Sequence, residues 1–367
     1  MGERTRFLGL DAHALTIAVA VAEEVGAPHE HGVIPNDPSS IRRLVCRLGG
    51  SDVRLVACYE AGPTGYALHR QLQALGVECM VVAPSLVPVR SGDRVKTDRR
   101  DALKLARLLR SGDLTPVWVP DQEHEALRDL VRARADAKAD ELRARHRLSK
   151  FLLRQGIRPP HGVRPWTTRY DTWLAQLRLE EPCAQVVLED YRNVVRAAGE
   201  RVRGLERALH TAVPDRHRPL VAALQAFRGI AFLTAVTIVA EVGDLRRFAT
   251  APQFMAYVGL VPSEYSSGAS RYRGRITKTG NAALRHVLGE TAHHARLQPR
   301  ISTTLRRRQQ GVPPDIVELS WRAQKRLHHR YRHLSSRLGR PKAIIAVGRE
   351  LAGFIWAVGQ HIEIAAA

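Results

Sequence analysis

Short apolar runs separated by polar turns fill the first 120 residues of the chain. The runs at 7–11 and 15–22 predict two neighbouring strands, and Val33 with Ile34 predicts a weaker third. Two more strands are predicted at 53–59 and 78–82, with helices over 41–48, 64–75 and 95–109 between and after them. Three early strands followed by alternating helices and strands are typical of an α/β layer around a mixed sheet.

A helical pattern replaces the strand pattern after this region. Residues 121–156 are charged and contain no proline, which predicts one helix about 50 Å long. Residues 182–213 carry apolar side chains at alternating steps of three and four, a heptad-like stripe. The stripe consists of Val187, Tyr191, Val194, Ala198, Val202, Leu205 and Leu209. The two helices predict an antiparallel hairpin, whose stripe serves either packing within one chain or dimerisation.

The last third of the chain is predicted to be mostly helical. Residues 214–219 contain two prolines and are interpreted as a linker. Residues 227–262 predict two short helices around Gly243-Asp244, either a phosphate-binding helix-hairpin-helix or plain packing. The stretch 319–342 is rich in lysine and arginine and predicts phosphate or RNA contact, and 343–364 predicts a closing helix. We therefore expect an α/β plus α protein with parts at 1–120, 121–213 and 214–367.

The charge of the chain narrows the choice of partner. Lysine and arginine number 57 against 36 acids, a net charge of +21, which favours nucleic acid. We expect no membrane association, because no basic amphipathic anchor, lipidation signal or signal peptide is found and the longest apolar run, 230–240, is short. The four cysteines form no metal-binding spacing, which predicts reduced, mostly buried thiols in a cytoplasmic protein.

Four carboxylates are candidates for a metal site, two at the ends of predicted strands and two on a predicted helix. Asp11 and Glu60 end two strands that are neighbours in a ribonuclease-H-like sheet, whose element order this region shares. Asp98 and Asp101 stand three residues apart, on one face of the helix over 95–109. Together the four predict a two-cation Mg²⁺ site that faces a phosphate. The alternative is that the helix acids only cap the helix and the others are solvated. The basic residues beside them are Lys96, Arg99 and Arg100.

A serine-rich segment near residue 267 is the second candidate for chemistry. We interpret Ser266, Ser267 and Gly268 as a loop, and a hydroxyl there as a nucleophile on phosphorus. Nearby guanidinium groups would balance the oxyanion. An ordinary serine-glycine turn is the competing interpretation. The cations assigned by proximity to nucleic-acid contact are Arg271, Arg273, Arg275 and Lys278.

These motifs, in this order, resemble the insertion-sequence-110 family of transposases, which includes pilin-gene invertases. The resemblance covers nearly the whole chain and rests on GLDAHALTIAVAV, YEAGPTGYALHRQLQALG, VKTDRRDALKLARLL and GLVPSEYSSGASRYRGRITKTGNAALRHVL. It implies a RuvC-like domain, a coiled-coil insertion and a C-terminal transposase domain with catalytic Ser267. Ala14 stands where the family often has a lysine, three residues after the first aspartate. Ser266 provides a second hydroxyl beside that of Ser267. The DEDD tetrad falls on Asp11, Glu60, Asp98 and Asp101.

The resemblance also implies a mechanism. Ser267 would join covalently to a DNA 5′ phosphate, with Mg²⁺ at the tetrad, in recombination of donor and target DNA. An element-encoded bridge RNA would pair with both DNAs, in a homodimer or homotetramer acting in the prokaryotic cytoplasm near the nucleoid. A composite site from two subunits is consistent with this. The alternatives are a metal-dependent nuclease of the Holliday-junction resolvase type, in which water attacks, and a non-catalytic nucleic-acid-binding protein.

Overall fold

The computed structural model describes residues 4–88, 97–267 and 270–362. They form two compact units that divide between Val119 and Pro120. The elements of the first unit are β1 (Arg4–Ala12), β2 (Thr16–Ala22), β3 (His29–Pro35), α1 (Pro38–Leu48), β4 (Val53–Glu60), α2 (Ala67–Ala74), β5 (Glu78–Val82) and α3 (Asp98–Ser111).

The first unit is built on one five-stranded mixed sheet. Its strands lie in the order β3–β2–β1–β4–β5. The β1–β2 and β2–β3 pairs are antiparallel, whereas β4 runs parallel to both β1 and β5. The predicted α/β fold is confirmed, and this sheet is compatible with a ribonuclease-H-like domain.

The two faces of the sheet are covered by different helices and carry side chains of different size. One face is covered by α1 and α2 through large apolar residues such as Leu8, Leu10 and Tyr59. The face under α3 is lined instead by the alanines of β2, which meet Ala102 and Ala106 of the helix. Small side chains on both surfaces allow α3 to lie unusually close to the strands.

The second unit is mostly helical. Its elements are α4 (Gln122–Arg154), α5 (Thr168–Gln176), α6 (Pro182–Ala212), α7 (Arg218–Gln225), α8 (Phe232–Val242), α9 (Ala251–Val258), β6 (Pro262–Ser267), β7 (Ser270–Ile276), α10 (Ala282–Ala292), α11 (Thr303–Arg308), α12 (Pro314–Leu338) and α13 (Arg340–His361). The central helix is α8, whose Val236 and Val239 are almost completely buried.

The core around α8 also holds residues of the two long helices. Leu127 and Val131 of α4 and Leu209 of α6 belong to the same apolar cluster as α8. The helix α13 is long and apolar enough to cross a membrane by length and composition, but half of its most apolar window is buried. Its residues Val347 and Leu351 lie in this cluster, as expected of a core helix. The division between parts at 213/214 stays a prediction.

The long helices α4 and α6 pack against each other within one chain. Val202 and Leu209 of the predicted stripe are buried, whereas the Val194 side chain is 42% exposed. Packing within the chain therefore accounts for the C-terminal part of the stripe. Dimerisation through the exposed part stays a prediction.

Three local expectations were wrong. The segment around Ser267 is a strand of the β6–β7 hairpin rather than a loop. The supposed linker at 214–219 is a short 3-10 turn that leads into α7, because Pro219 lies in the first turn of that helix, where proline is tolerated. Of the four cysteines, Cys46 and Cys183 are exposed rather than buried.

Two backbone amides of the turn between α8 and α9 already donate hydrogen bonds within the protein. The Gly243 amide donates to Val239 O at 2.9 Å, and the Arg246 amide donates to Asp244 Oδ1 at 2.8 Å. Both helices bury their apolar residues in the common core. Plain helical packing therefore describes this segment better than a phosphate-binding helix-hairpin-helix.

Two buried histidines join the start of α4 to the turn before α7. His124 Nε2 donates to Ala240 O at 2.8 Å, since a carbonyl only accepts. His124 Nδ1 lies 3.0 Å from His217 Nε2, to which Arg216 Nε donates at 3.3 Å. Burial lowers the pKa of both imidazoles. His124 and Arg216 lower that of His217 further, to about 4.

We expect the free energy of unfolding to fall as the pH drops from 6.5 toward about 4. The unfolded chain binds a proton that buried His217 excludes, and the full shift corresponds to roughly 3 kcal/mol. Urea unfolding at about pH 7 and about pH 5 should show roughly 2 kcal/mol of this change, because pH 5 lies only part of the way between the two pKa values. His217→Gln should flatten the pH dependence, whereas His146→Gln, exposed on α4, should leave it unchanged. Equal pH dependence in both variants would contradict the assignment.

Candidate metal centre and serine hairpin

The register of β1 and β4 brings the first two predicted carboxylates together. Leu10 pairs with Tyr59 in this parallel ladder, so Asp11 and Glu60 follow at the same carboxyl edge of adjacent strands. Strands in a sheet are about 4.8 Å apart, and equivalent side chains on them are neighbours. Asp11 and Glu60 therefore lie beside each other, as predicted.

Helix α3 approaches this edge through a glycine. A Cβ at Gly9 would lie 2.1 Å from Ala102 O and 2.3 Å from Ala106 N, which is inside any real contact distance. The backbone of α3 therefore rests directly on β1. The buried Cys58 thiol donates to Leu105 O at 3.6 Å and joins the same helix to β4.

The first turn of α3 carries the other two carboxylates. Thr97, rather than Asp98, is the cap, because its hydroxyl accepts from the Arg100 amide at 3.3 Å. Asp98 and Asp101 lie in the first turn, where negative charge also stabilises the helix dipole. The capping alternative is thus partly correct, but Thr97 already caps the helix and leaves the carboxylates for other contacts.

Three side chains from two segments converge at the edge of the sheet. The ligand atoms of Asp11, His13 and Asp98 all lie within 4.8 Å of one another. His13 Nε2 is 3.5 Å from Asp11 Oδ2 and 3.4 Å from Asp98 Oδ2. Glu60, on the adjacent strand, and Asp101, one turn along α3, are outside that group.

The three groups fit a divalent cation. Atoms at such spacing leave a point within about 2.8 Å of each, near the roughly 2.0–2.6 Å of divalent coordination, so only small side-chain movements are required. The Asp11 side chain is 20% exposed, whereas that of Asp98 is 65% exposed, so the centre opens to solvent and to a substrate. Carboxylate oxygens with one imidazole suit Mn²⁺ as well as Mg²⁺.

His13 was not singled out in the sequence. The tight turn after β1 positions it: its amide donates to Thr16 O at 2.8 Å, and its carbonyl accepts from Asn36 Nδ2 at 2.7 Å. The available signal was the Asp-x-His spacing, which puts His13 two residues after Asp11 and directly after the end of β1.

We expect His13→Ala to weaken Mn²⁺ binding by on the order of tenfold, because an imidazole ligand is lost while the carboxylates remain. Titration calorimetry with Mn²⁺ and with Mg²⁺ measures the effect, which should be smaller for Mg²⁺. His29→Ala is the control, because His29 lies on β3 outside this group. Equal Mn²⁺ affinity in wild type and His13→Ala would show that the imidazole is no ligand.

The second candidate site lies on the β6–β7 hairpin. Ser267 is exposed at the end of β6 and pairs with Ser270, while Gly268 lies outside the described residues. Tyr265 pairs with Tyr272, and both rings are exposed. The alternation of a strand puts Ser267 on the same face as Tyr265 and the opposite face from Ser266.

Ser266 has a different environment from Ser267. Its hydroxyl donates to Glu264 Oε1 at 3.0 Å. The register pairs Ser266 with Arg271 and Glu264 with Arg273, whose side chains are not described. The hairpin thus separates two serines that are equivalent in the sequence.

The base of the hairpin is held by close backbone contacts and a buried ion pair. A Cβ at Gly280 would lie 2.0 Å from Tyr257 O. Asn281, the cap of α10, donates to Glu241 Oε2 at 2.7 Å, and Arg132 of α4 makes two hydrogen bonds to the same carboxylate. Burial alone would raise the pKa of Glu241, but these hydrogen bonds lower it.

The other predicted nucleic-acid contacts have varied positions. Arg99 pairs with Glu30 of β3, and Arg100 is exposed in the first turn of α3. Arg275 and Lys278 are exposed, the first on β7 and the second just after it. Lys96 lies outside the described residues.

Comparison with known proteins identifies the family. A family model described as a transposase matches residues 8–156, and one described as transposase IS116/IS110/IS902 family matches residues 221–306. The protein y4qE of Sinorhizobium fredii, whose name describes a transposase, is 43% identical over 98% of this chain and 89% of its own length. The transposase for insertion sequence element IS1533 of Leptospira borgpetersenii is 32% identical over 90% of this chain and 97% of its own. The chain belongs to the IS110 family of transposases. This family assignment confirms the resemblance and makes the protein a DNA transposase that acts on DNA.

The matches place both candidate sites of this IS110-family transposase inside family regions. Asp11, His13, Glu60, Asp98 and Asp101 lie within the first match, and the serine hairpin lies within the second. The DEDD class of transposase suggests a divalent metal, which agrees with the carboxylates and imidazole found at the sheet edge.

Proposed function

We propose that this transposase cuts and rejoins donor and target DNA through a covalent phosphoserine intermediate at Ser267. The observation that carries the proposal is the convergence of Asp11, His13 and Asp98 at the sheet edge beside Glu60, in a chain that also exposes Ser267 on a hairpin. We assign Asp11, Glu60, Asp98 and Asp101 to the binding of Mg²⁺, with His13 as an added ligand. When bound, the ion supplies positive charge to a phosphate oxygen.

The serine step requires an exposed hydroxyl and a leaving oxygen. Ser267 Oγ forms a bond to phosphorus, and the bond from phosphorus to the DNA 3′ oxygen breaks. The hydroxyl proton passes to solvent, and the released 3′ oxygen takes a proton from solvent. The enzyme then holds a 5′ phosphate ester, so the bond energy is retained for rejoining when a second 3′ hydroxyl attacks.

The charge of the chain supports a nucleic-acid guide as part of the proposal. A net charge of +21 exceeds what a small catalytic site requires, and backbone phosphates of RNA and DNA would neutralise it. We propose that an element-encoded bridge RNA selects both DNAs by base pairing, as in other RNA-guided systems. We further propose a homodimer or homotetramer in the cytoplasm, near the nucleoid, because two duplexes must exchange strands.

A hydrolytic nuclease is the second candidate, because Asp11, His13 and Asp98 of the candidate metal centre belong to the first unit, whereas Ser267 belongs to the second. In that mechanism water attacks phosphorus, and the DNA never becomes attached to the protein. The two mechanisms therefore differ in one observable product.

The deciding experiment combines purified protein, RNA transcribed from the flanking DNA, Mg²⁺ and end-labelled donor and target duplexes. We expect a DNA–protein adduct that survives a denaturing gel, requires the metal and the RNA, and maps to Ser267 by peptide mass spectrometry. Asp11→Asn should abolish it. Cleaved ends without an adduct would establish the nuclease, and an adduct formed equally without RNA would overturn the guide.

A further inference from the structure

A pocket lined by four arginines and two acids lies in the second unit, beside α4. Its volume is about 340 Å³, and its walls are α4, the turn before α5, α5 itself and α6. This volume lies in the range of pockets that enclose a ligand of small-molecule size. The family assignment and the metal centre leave this pocket unexplained.

Three arginines of α6 line one wall. Arg192, Arg196 and Arg203 are four and seven residues apart, so they share one face of the helix. Among the described residues, none of the three has a carboxylate within ion-pair distance, although Arg196 donates to Asn193 Oδ1 at 3.1 Å. Unpaired guanidinium groups that share a concave wall are a site for an anion with planar, bidentate oxygens, such as a phosphate.

Two acids also line the pocket, Glu141 of α4 and Asp171 of α5, but four arginines outnumber them. Glu141 is buried and is held by Lys138 Nζ at 2.7 Å and Arg145 at 2.5 Å. Gly199 faces it from α6, and a Cβ there would lie 3.4 Å from Arg203 and 3.7 Å from Glu141.

An aromatic ring closes the pocket on its third side. The Arg145 guanidinium lies over the Trp166 ring, 5.1 Å from its centroid. Arg145 Nε is buried and has no hydrogen-bond partner among the described residues. The Trp166 backbone has φ 63°, a left-handed conformation that is rare outside glycine and is concentrated at functional sites.

We propose that this pocket binds one unpaired nucleotide of a single-stranded nucleic acid. The α6 arginines hold the phosphate, and the base stacks on the Trp166–Arg145 layer, since bases stack on both aromatic rings and guanidinium planes. The inference rests on the proposed function only in requiring a nucleic-acid partner, and the serine chemistry plays no part in it. Duplex DNA fits the site poorly, because its bases are paired and stacked and only its phosphates are available.

The test measures fluorescence anisotropy of labelled oligonucleotides of about 12 nucleotides with the full-length protein. The probes are single-stranded RNA, single-stranded DNA of the same sequence, and the corresponding DNA duplex. We expect Arg196→Gln and Trp166→Leu each to weaken single-strand binding by about tenfold and to change duplex binding much less. The RNA and DNA arms identify which strand supplies the nucleotide.

A charge-matched control separates the pocket from general electrostatics. Arg207→Gln makes the same substitution on the exposed surface of α6 and should change the affinity for all three probes equally and slightly. Trp166→Tyr keeps a ring and should recover most of the single-strand affinity, which excludes unfolding as the cause. Equal losses for Arg196→Gln and Arg207→Gln would overturn the proposal, as would equal losses on single strands and duplex.

Failure of this inference is distinguishable from failure of the serine mechanism. If Arg196→Gln binds single strands normally while wild type still forms the Ser267 adduct, the pocket assignment is wrong and the recombinase stands. If wild type cleaves without an adduct but the pocket variants lose single-strand affinity, the pocket assignment stands and the serine mechanism is wrong.

Discussion

Replacing Ser267 with alanine is expected to lower the rate of DNA–protein adduct formation by about a thousandfold or more, since removing a nucleophile removes the whole covalent route. Ser267 is exposed on β6, so its loss should change the free energy of unfolding by no more than about 0.5 kcal/mol. Binding of labelled duplex should also remain near wild type. Adduct yield, urea unfolding and duplex affinity measured on one preparation check all three statements.

The neighbouring serine provides the matched control. Ser266→Ala removes the same oxygen one residue away, and strand alternation turns that residue to the opposite face of the hairpin. We therefore expect Ser266→Ala to keep most of the adduct-forming activity. Its hydrogen bond to Glu264 is exposed and contributes little to stability.

The reverse result has a definite structural meaning. A carboxylate 3.0 Å from a serine hydroxyl has the geometry of a general base with its nucleophile. If Ser266→Ala and Glu264→Gln abolish the adduct while Ser267→Ala keeps it, Ser266 is the nucleophile and the motif match has selected the wrong serine.

The sheet was predictable because a strand that is buried in the core has a recognisable pattern of apolar residues in the sequence. The alternating apolar residues of β2 and β4 have one arrangement that hides them from water, and this arrangement also fixes the register. The register then places Asp11 beside Glu60 without further information. Carboxylates at strand ends are therefore the part of the site that a sequence predicts best.

The β6–β7 hairpin and His13 were missed for a common reason. The last four residues of β6 are exposed, and both strands carry serines, tyrosines and arginines in place of the apolar alternation that identifies a strand. His13 lies in a turn, and its contact with Asp98 spans 85 residues of sequence. The apolar pattern of the sequence does not predict the contact between His13 and Asp98, because that contact depends on how α3 lies across β1.

Replacing Gly9 with alanine tests that arrangement, and we expect it to destabilise the first unit by about 3 kcal/mol or more. Overpacking typically costs 1–3 kcal/mol, and here the new Cβ meets Ala102 O and Ala106 N, backbone atoms that cannot rotate away. Either α3 moves off the sheet or β1 bends. Both movements separate Asp98 from Asp11, so divalent-ion affinity and adduct formation should fall together.

A second glycine of the same unit serves as the control for Gly9→Ala. At Gly50 an added Cβ would find Val53 at 4.0 Å, an ordinary contact, so Gly50→Ala should leave stability and metal binding near wild type. Urea unfolding and Mn²⁺ calorimetry on both variants give the comparison. Metal affinity matters more than stability here, because a glycine substitution alters the unfolded chain as well as the folded one.

The outcome for Gly9→Ala decides how the metal centre is assembled. If the variant stays as stable as wild type and binds Mn²⁺ as tightly, α3 does not rest on β1 at this glycine, and the placement of Asp98 beside Asp11 and His13 is wrong. If stability falls but Mn²⁺ still binds tightly to the folded fraction, the ligands come from β1 and its turn alone. If both stability and Mn²⁺ affinity fall, the metal centre requires the backbone contact between α3 and β1. The positions of the four carboxylates in the sequence do not reveal this requirement.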